Sequence, residues 1–257
     1  MLIKKAFWSS LWLILFTLGQ SLSAKGLTVS PMEQFVRPGQ SVIYFASNRG
    51  DDPIAVEVLA EAWTISEDGE EILTPTTELL AYPSQFVLKG HTSKRIKVGY
   101  KNRQKIDVEK CFRVTIRELP IDLNPKQTGE RFKIYRASGY RTSFYLKPKK
   151  STADIEIESV SLEDKKLTLR LHNPGTVHVH LIYPHITLYS DSGEAYELTD
   201  QKILNAMAGK NMHAGISRNF TLDLSELSIP WPITKATLLF TDNPYLGGKS
   251  YQLALID

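Results

Sequence analysis

EKCFRVTIREL, residues 109–119, reads as a β-strand with two different sides. Phe112, Val114 and Ile116 alternate with Cys111, Arg113, Thr115 and Arg117, which is the period-2 pattern of a strand buried on one face. Outward from it the chain repeats the same rhythm. SVIYFA at 41–46 runs into the turn-forming NRGDDP at 48–53, and IAVEVLAEAW at 54–63 runs into EDGE at 67–70. Later, IEIESVSL at 155–162 meets the hairpin sequence EDKK and then KLTLRLHN, 166–173. Valine, isoleucine, threonine, tyrosine and phenylalanine dominate these runs, as strands require. No segment sustains a 3.6-residue apolar stripe. The best helical candidate, QKILNAMA at 201–208, is short. Many short strands with frequent turns predict an all-β chain of immunoglobulin-like β-sandwiches.

Pro148 and KKSTAD at 149–154 interrupt the rhythm. They divide the chain into an N-terminal sandwich at 25–147, a linker at 148–153 and a C-terminal sandwich at 154–257, each of ordinary size for the class. Residues 1–24 place two lysines before an apolar run from Phe7 to Leu18 and then small polar residues, the layout of a cleaved secretory signal peptide. The run falls short of the roughly 20 residues a spanning helix needs, so no stable membrane insertion is expected.

Of 257 residues, 42% are hydrophobic, which excludes intrinsic disorder. The single cysteine, Cys111, excludes a disulfide framework and a cysteine-based zinc site within one chain. Net charge is +3, and it falls to +1 without Lys4 and Lys5, a balance that does not point to nucleic acid. Its distribution is uneven. Residues 25–88 hold 3 Lys/Arg against 10 Asp/Glu, residues 89–150 hold 18 against 5, and residues 151–257 hold 8 against 13. Either acidic early strands neutralise basic later ones across a sheet, or the basic third receives an anionic group of a partner.

Enzymatic signatures are missing: there is no P-loop, G-x-G-x-x-G, H-E-x-x-H or G-x-S-x-G. His172, His178, His180 and His185 cluster in sequence, and His178 and His180 share one face of a strand in VHVHL. With no carboxylate or cysteine nearby in sequence, they read as exposed or edge-strand histidines with fewer than three ligands converging; no metal and no cofactor are expected. Cys111 at a strand centre reads as a small packed residue, not a catalytic thiol.

The order of these pieces resembles the periplasmic pilus-assembly chaperones of the chaperone–usher pathway, the PapD-like family. The matching stretches are LTVSP at 27–31, RPGQS at 37–41, VIYFASN at 42–48 and VEVLAEAW at 56–63 with its closing tryptophan. They continue with the proline, phenylalanine, glycine-turn and basic-strand region of 73–100, FRVTIRELP at 112–120, FYLKP at 144–148 and NPGTVHVHL at 173–181. The TPT-ELL-YPSQF stretch is similar to the archaic or alternative branch.

The resemblance implies two immunoglobulin-like sandwiches at an angle with a cleft between them, in a periplasmic protein that is not an enzyme. Its partners would be pilin subunits, whose missing strand it supplies by donor-strand complementation, and an outer-membrane usher. The lending strand would lie in 130–147, with Phe132, Ile134 and Tyr140 filling the subunit groove, and Phe144 and Leu146 packing the chaperone's own core. Basic residues would hold the subunit's C-terminal carboxylate. The family's first-strand arginine has no counterpart in PMEQFV at 31–36, so Arg141, Lys97 and Arg113 are the candidate anchors. A rival reading is an extracytoplasmic two-domain binding module without an assembly role. It needs an exposed aromatic patch, for which Trp231 is the one odd candidate. A metal-dependent hydrolase using the histidines is a third reading.

Overall fold

The computed structural model describes residues 26–121, 123, 137–240, 243–246 and 250–254. The described residues of the first half form ten strands: β1 (Leu27–Ser30), β2 (Glu33–Val36), β3 (Ser41–Asn48), β4 (Ile54–Ile65), β5 (Glu71–Pro75), β6 (Leu79–Tyr82), β7 (Gln85–Leu88), β8 (Ser93–Tyr100), β9 (Lys110–Leu119) and β10 (Gly139–Leu146). They make two sheets, one in the order β1-β3-β8-β6 and the other β2-β10-β9-β4-β5, with β7 also pairing to β4. The inward faces meet in one apolar core. Tyr44 and Ala46 of β3 and Ile96 and Val98 of β8 pack against Val56, Val58, Phe112, Val114, Ile116, Phe144 and Leu146 of the other sheet. The alternation of EKCFRVTIREL is therefore real, since Phe112, Val114 and Ile116 are at most 1% exposed.

The second half forms β11 (Glu156–Glu163), β12 (Lys166–His172), β13 (Val179–His180), β14 (His185–Tyr189), β15 (Ala195–Leu198), β16 (Asn211–Met212), β17 (Ser217–Asp223), β18 (Lys235–Leu239) and β19 (Ser250–Ala254). The sheets run β11-β12-β17, β13-β16 and β15-β14-β18-β19. Their core includes Leu167, Leu169, Leu171, Ile186, Leu188, Phe220 and Leu238. The EDKK turn is a two-residue hairpin: Glu163 pairs with Lys166, and Asp164 and Lys165 take positive φ of 47° and 61°. Both central residues left-handed define the type I′ turn, whose twist matches that of its strands. QKILNAMA yields one helical turn, Gln201–Leu204, capped by the Asp200 side chain accepting from the Lys202 N–H.

No described ladder joins β1–β10 to β11–β19. Among the described residues no helix is long and apolar enough to cross a membrane. Part of the uneven charge is paired within the first sandwich. Glu57 pairs in register with Arg117 and binds it at 2.8 Å, while Lys110 binds Glu78 at 2.9 Å.

Candidate functional site

The outward face of β4, β9 and β10 turns toward the second sandwich. Residues that alternate away from the core project there: Trp63 from β4, Cys111 and Arg113 from β9, and Arg141, Ser143 and Tyr145 from β10. Trp63, Ile65, Cys111 and Tyr145 form a small apolar cluster of their own. His213 of the second sandwich meets the Trp63 ring edge-on at 4.3 Å, and Asn211 donates to the Tyr145 hydroxyl at 2.9 Å.

Arg113 and Arg141 converge here. In the β9–β10 ladder Arg113 lies opposite Ser143 and Arg141 opposite Thr115, so the two arginines are diagonal neighbours on one face. Both guanidinium groups bind the carboxylate of Glu71 from β5, Arg141 at 3.2 Å. The Arg113 guanidinium carbon also stands 3.4 Å over the Trp63 ring, and Arg113 donates to the Ser143 hydroxyl. Arg113 is 15% exposed and Arg141 53%. Two guanidinium groups around one carboxylate are an anion cradle of charge-assisted hydrogen bonds.

Lys97 does not join them. It is exposed on β8, where its neighbours Ile96 and Val98 point into the core, so its side chain leaves the first sandwich on the opposite side. Tyr140 is half-buried and leans on the first core, in register with Ile116. Phe144 and Leu146 are fully buried in that core. Phe132 and Ile134 lie outside the described residues.

β10 carries two kinds of edge. Ser143–Leu146 pair with β9 on one side and, in parallel, with β2 on the other. Gly139–Thr142 pair with β9 alone among the described residues. Among the described residues that stretch has no strand on its other edge.

His185 is exposed and His180 lies in the two-stranded β13–β16 ladder, as expected, but His178 departs from the sequence expectation. His178 is fully buried, not exposed, because the first sandwich covers it. Glu109, just before β9, accepts from His178 Nδ1 at 2.6 Å and from the His178 backbone N–H at 3.0 Å, and its own N–H donates to the Thr176 carbonyl at 2.9 Å. The Tyr145 ring stacks on His178 at 3.9 Å. Fewer than three ligands were expected to converge, but Glu33 of β2 joins His178 and His180, with one donor atom from each within 4.8 Å of the others. Sequence could not reveal this, because Glu33 stands 145 residues before His178. Burial lowers the pKa of His180, and burial with nearby positive groups holds His213 at about 3. Burial and the adjacent Glu109 push the Cys111 thiol well up, so it is a poor nucleophile. Trp231 is half-buried against the second core beside Leu227, Ile229 and Ile233, so it is not the exposed aromatic that the binding-module reading took it for.

No protein-family model matches the chain, and no curated protein matches it in sequence. Solved structures match it in shape. The class 5 fimbriae chaperone CfaA superposes with a TM-score of 0.58 at 12% identity, covering 90% of this chain and 100% of that one. A chain of the CsuC–CsuE chaperone–tip adhesion subunit pre-assembly complex, from archaic chaperone-usher Csu pili of Acinetobacter baumannii, gives 0.56 at 13% identity, covering 90% and 99%. A chain of the Salmonella enterica SafA pilin–SafB chaperone complex gives 0.51 at 14% identity, covering 91% and 99%. The chain has the two-domain β-sandwich fold of the fimbrial chaperones.

Proposed function

We propose that this chain is a periplasmic chaperone of the chaperone–usher kind, exported by a signal peptide at 1–24. It binds pilin subunits, supplies their missing strand from its first sandwich (25–147) and passes them to an outer-membrane usher. The second sandwich, 154–257, follows a linker at 148–153. No chemical step is involved: the exchange of one strand for another runs downhill without a cofactor. The observation that carries this reading is the edge of β10 at Gly139–Thr142, unpaired among the described residues, beside the Arg113–Arg141 cradle. An edge offers backbone N–H and C=O groups to an incomplete sandwich. The cradle lies next to it on the same strand, where a subunit's terminal carboxylate could displace Glu71. Tyr140 on this segment, with Phe132 and Ile134 before it, would then fill the subunit's apolar groove.

The test is co-expression with a pilin subunit that lacks its last strand, followed by co-purification and hydrogen exchange. The reading expects a one-to-one complex in which the amides of 137–142 gain protection. A complex whose new protection falls elsewhere, or no complex at all, would overturn it.

A further inference from the structure

We propose that Glu33, His178 and His180 form a zinc site that clamps the first sandwich to the second.

The three residues come from both sandwiches, so the site exists only when these are docked. Glu33 is held by the parallel β2–β10 ladder, where it lies opposite Ser143. Two residues on, Phe35 projects from the same face of β2 and stacks on the His178 ring at 6.1 Å with an interplanar angle of 3°. That contact turns the Glu33 side of β2 toward the histidines. On the second sandwich, His180 lies in β13 opposite Asn211 of β16. Asn243 donates to the His180 carbonyl at 2.7 Å, and Tyr245 stacks on its ring at 5.9 Å.

The arrangement of His178 is that of a metal ligand. Its Nδ1 is bound to the Glu109 carboxylate, which can only accept, so Nδ1 carries a proton and the neutral form of the ring offers its lone pair at Nε2. Nε2 is buried and has no hydrogen-bond partner among the described residues. A buried lone pair without a partner is costly, and a cation would remove that cost. A carboxylate that fixes the tautomer through the far nitrogen is the usual outer partner of a metal-bound histidine. Glu109 holds that place, and the Tyr145 ring fixes the plane of the imidazole.

Two imidazoles and a carboxylate suit zinc, which takes nitrogen and oxygen ligands at about 2.0–2.2 Å in tetrahedral geometry. Donor atoms within 4.8 Å of one another need only a modest approach, which Glu33 can supply as an exposed side chain. Three protein ligands leave the fourth position to water. The three side chains are not among those of the Arg113–Arg141 cradle, so the two sites can be tested apart.

The experiment titrates zinc chloride into the metal-stripped mature chain by calorimetry, with melting curves and cobalt absorption spectra in parallel. The expected result is one zinc per chain, a higher melting temperature with zinc, and cobalt bands of a four-coordinate site. Because His178 is part of the buried packing, the variants are made at the other two ligands. Glu33→Gln should weaken binding about tenfold or more, and His180→Ala should abolish the saturable site. Glu71→Gln, which removes a carboxylate elsewhere on the same interface, should leave zinc binding unchanged. No saturable binding to the folded chain, or binding that survives both Glu33→Gln and His180→Ala, would overturn the proposal.

Discussion

Glu109 Oε1 accepts two hydrogen bonds from His178, one from ring Nδ1 at 2.6 Å and one from the backbone N–H at 3.0 Å, across the junction of the two sandwiches. Both side chains are fully buried. The junction is thus held by a paired polar contact inside an aromatic wrapping of Phe35, Tyr145 and Tyr245.

Removing the acceptor should be expensive. Glu109→Ala leaves two buried N–H donors unpaired, at about 1–3 kcal/mol each. The expected loss in urea denaturation is about 2–6 kcal/mol. Glu109→Gln retains one oxygen acceptor and should cost clearly less. Intrinsic fluorescence of the interface Trp63 should report the loosened junction.

Acid should loosen the same junction through His213. Its folded pKa of about 3 lies below the 6.5 of the free side chain. Between these values the unfolded chain binds the proton and the folded chain does not, so stability falls as pH falls from 6.5 toward 3. At pH 5 the loss from this residue is about 2 kcal/mol. Denaturation midpoints at pH 7 and pH 5, with a chelator present, should differ less in His213→Gln than in the parent chain.

The arginine cradle should be separable from stability at the half-exposed Arg141, whereas Arg113 also packs on Trp63. Arg113→Ala and Arg141→Ala each remove a charged hydrogen-bonding partner from the site, which is worth about 1.5–3 kcal/mol. Pilin affinity should fall roughly ten- to a hundred-fold. The loss should be larger for Arg113, which is the more buried. Glu71→Ala removes the internal competitor and should strengthen capture, while Lys97→Ala, on the far side of the first sandwich, should leave it unchanged. Surface plasmon resonance with immobilised subunit would measure all four.

Two residues on one face of β10 should behave in opposite ways. Phe144 is fully buried, and Phe144→Ala should cost about 3–5 kcal/mol of folding stability. Tyr140 is half-exposed on the segment of β10 that pairs with β9 alone among the described residues. Tyr140→Ala should change the melting curve little and lower pilin capture more.

The strand content was legible because its signals are local. Alternation in EKCFRVTIREL and the left-handed turn of EDKK reside in consecutive residues, and each chooses its conformation before distant neighbours are in place. The all-β class and the helical turn at Gln201–Leu204 follow from such signals.

The junction lies beyond that reach. Lys97 and Arg141 are both basic residues on alternating strands, and periodicity treats them alike. Only the pairing order of the two sheets sends Lys97 to the far surface and Arg141 toward Glu71. VHVHL shows two histidines on one face, but not what covers them. Glu109 is 69 residues from His178 along the chain, and Glu33 is farther still. Their meeting depends on how one completed sandwich packs on another. Burial and ligand geometry belong to that packing, because they depend on which surfaces face each other and not on the order of residues within a strand.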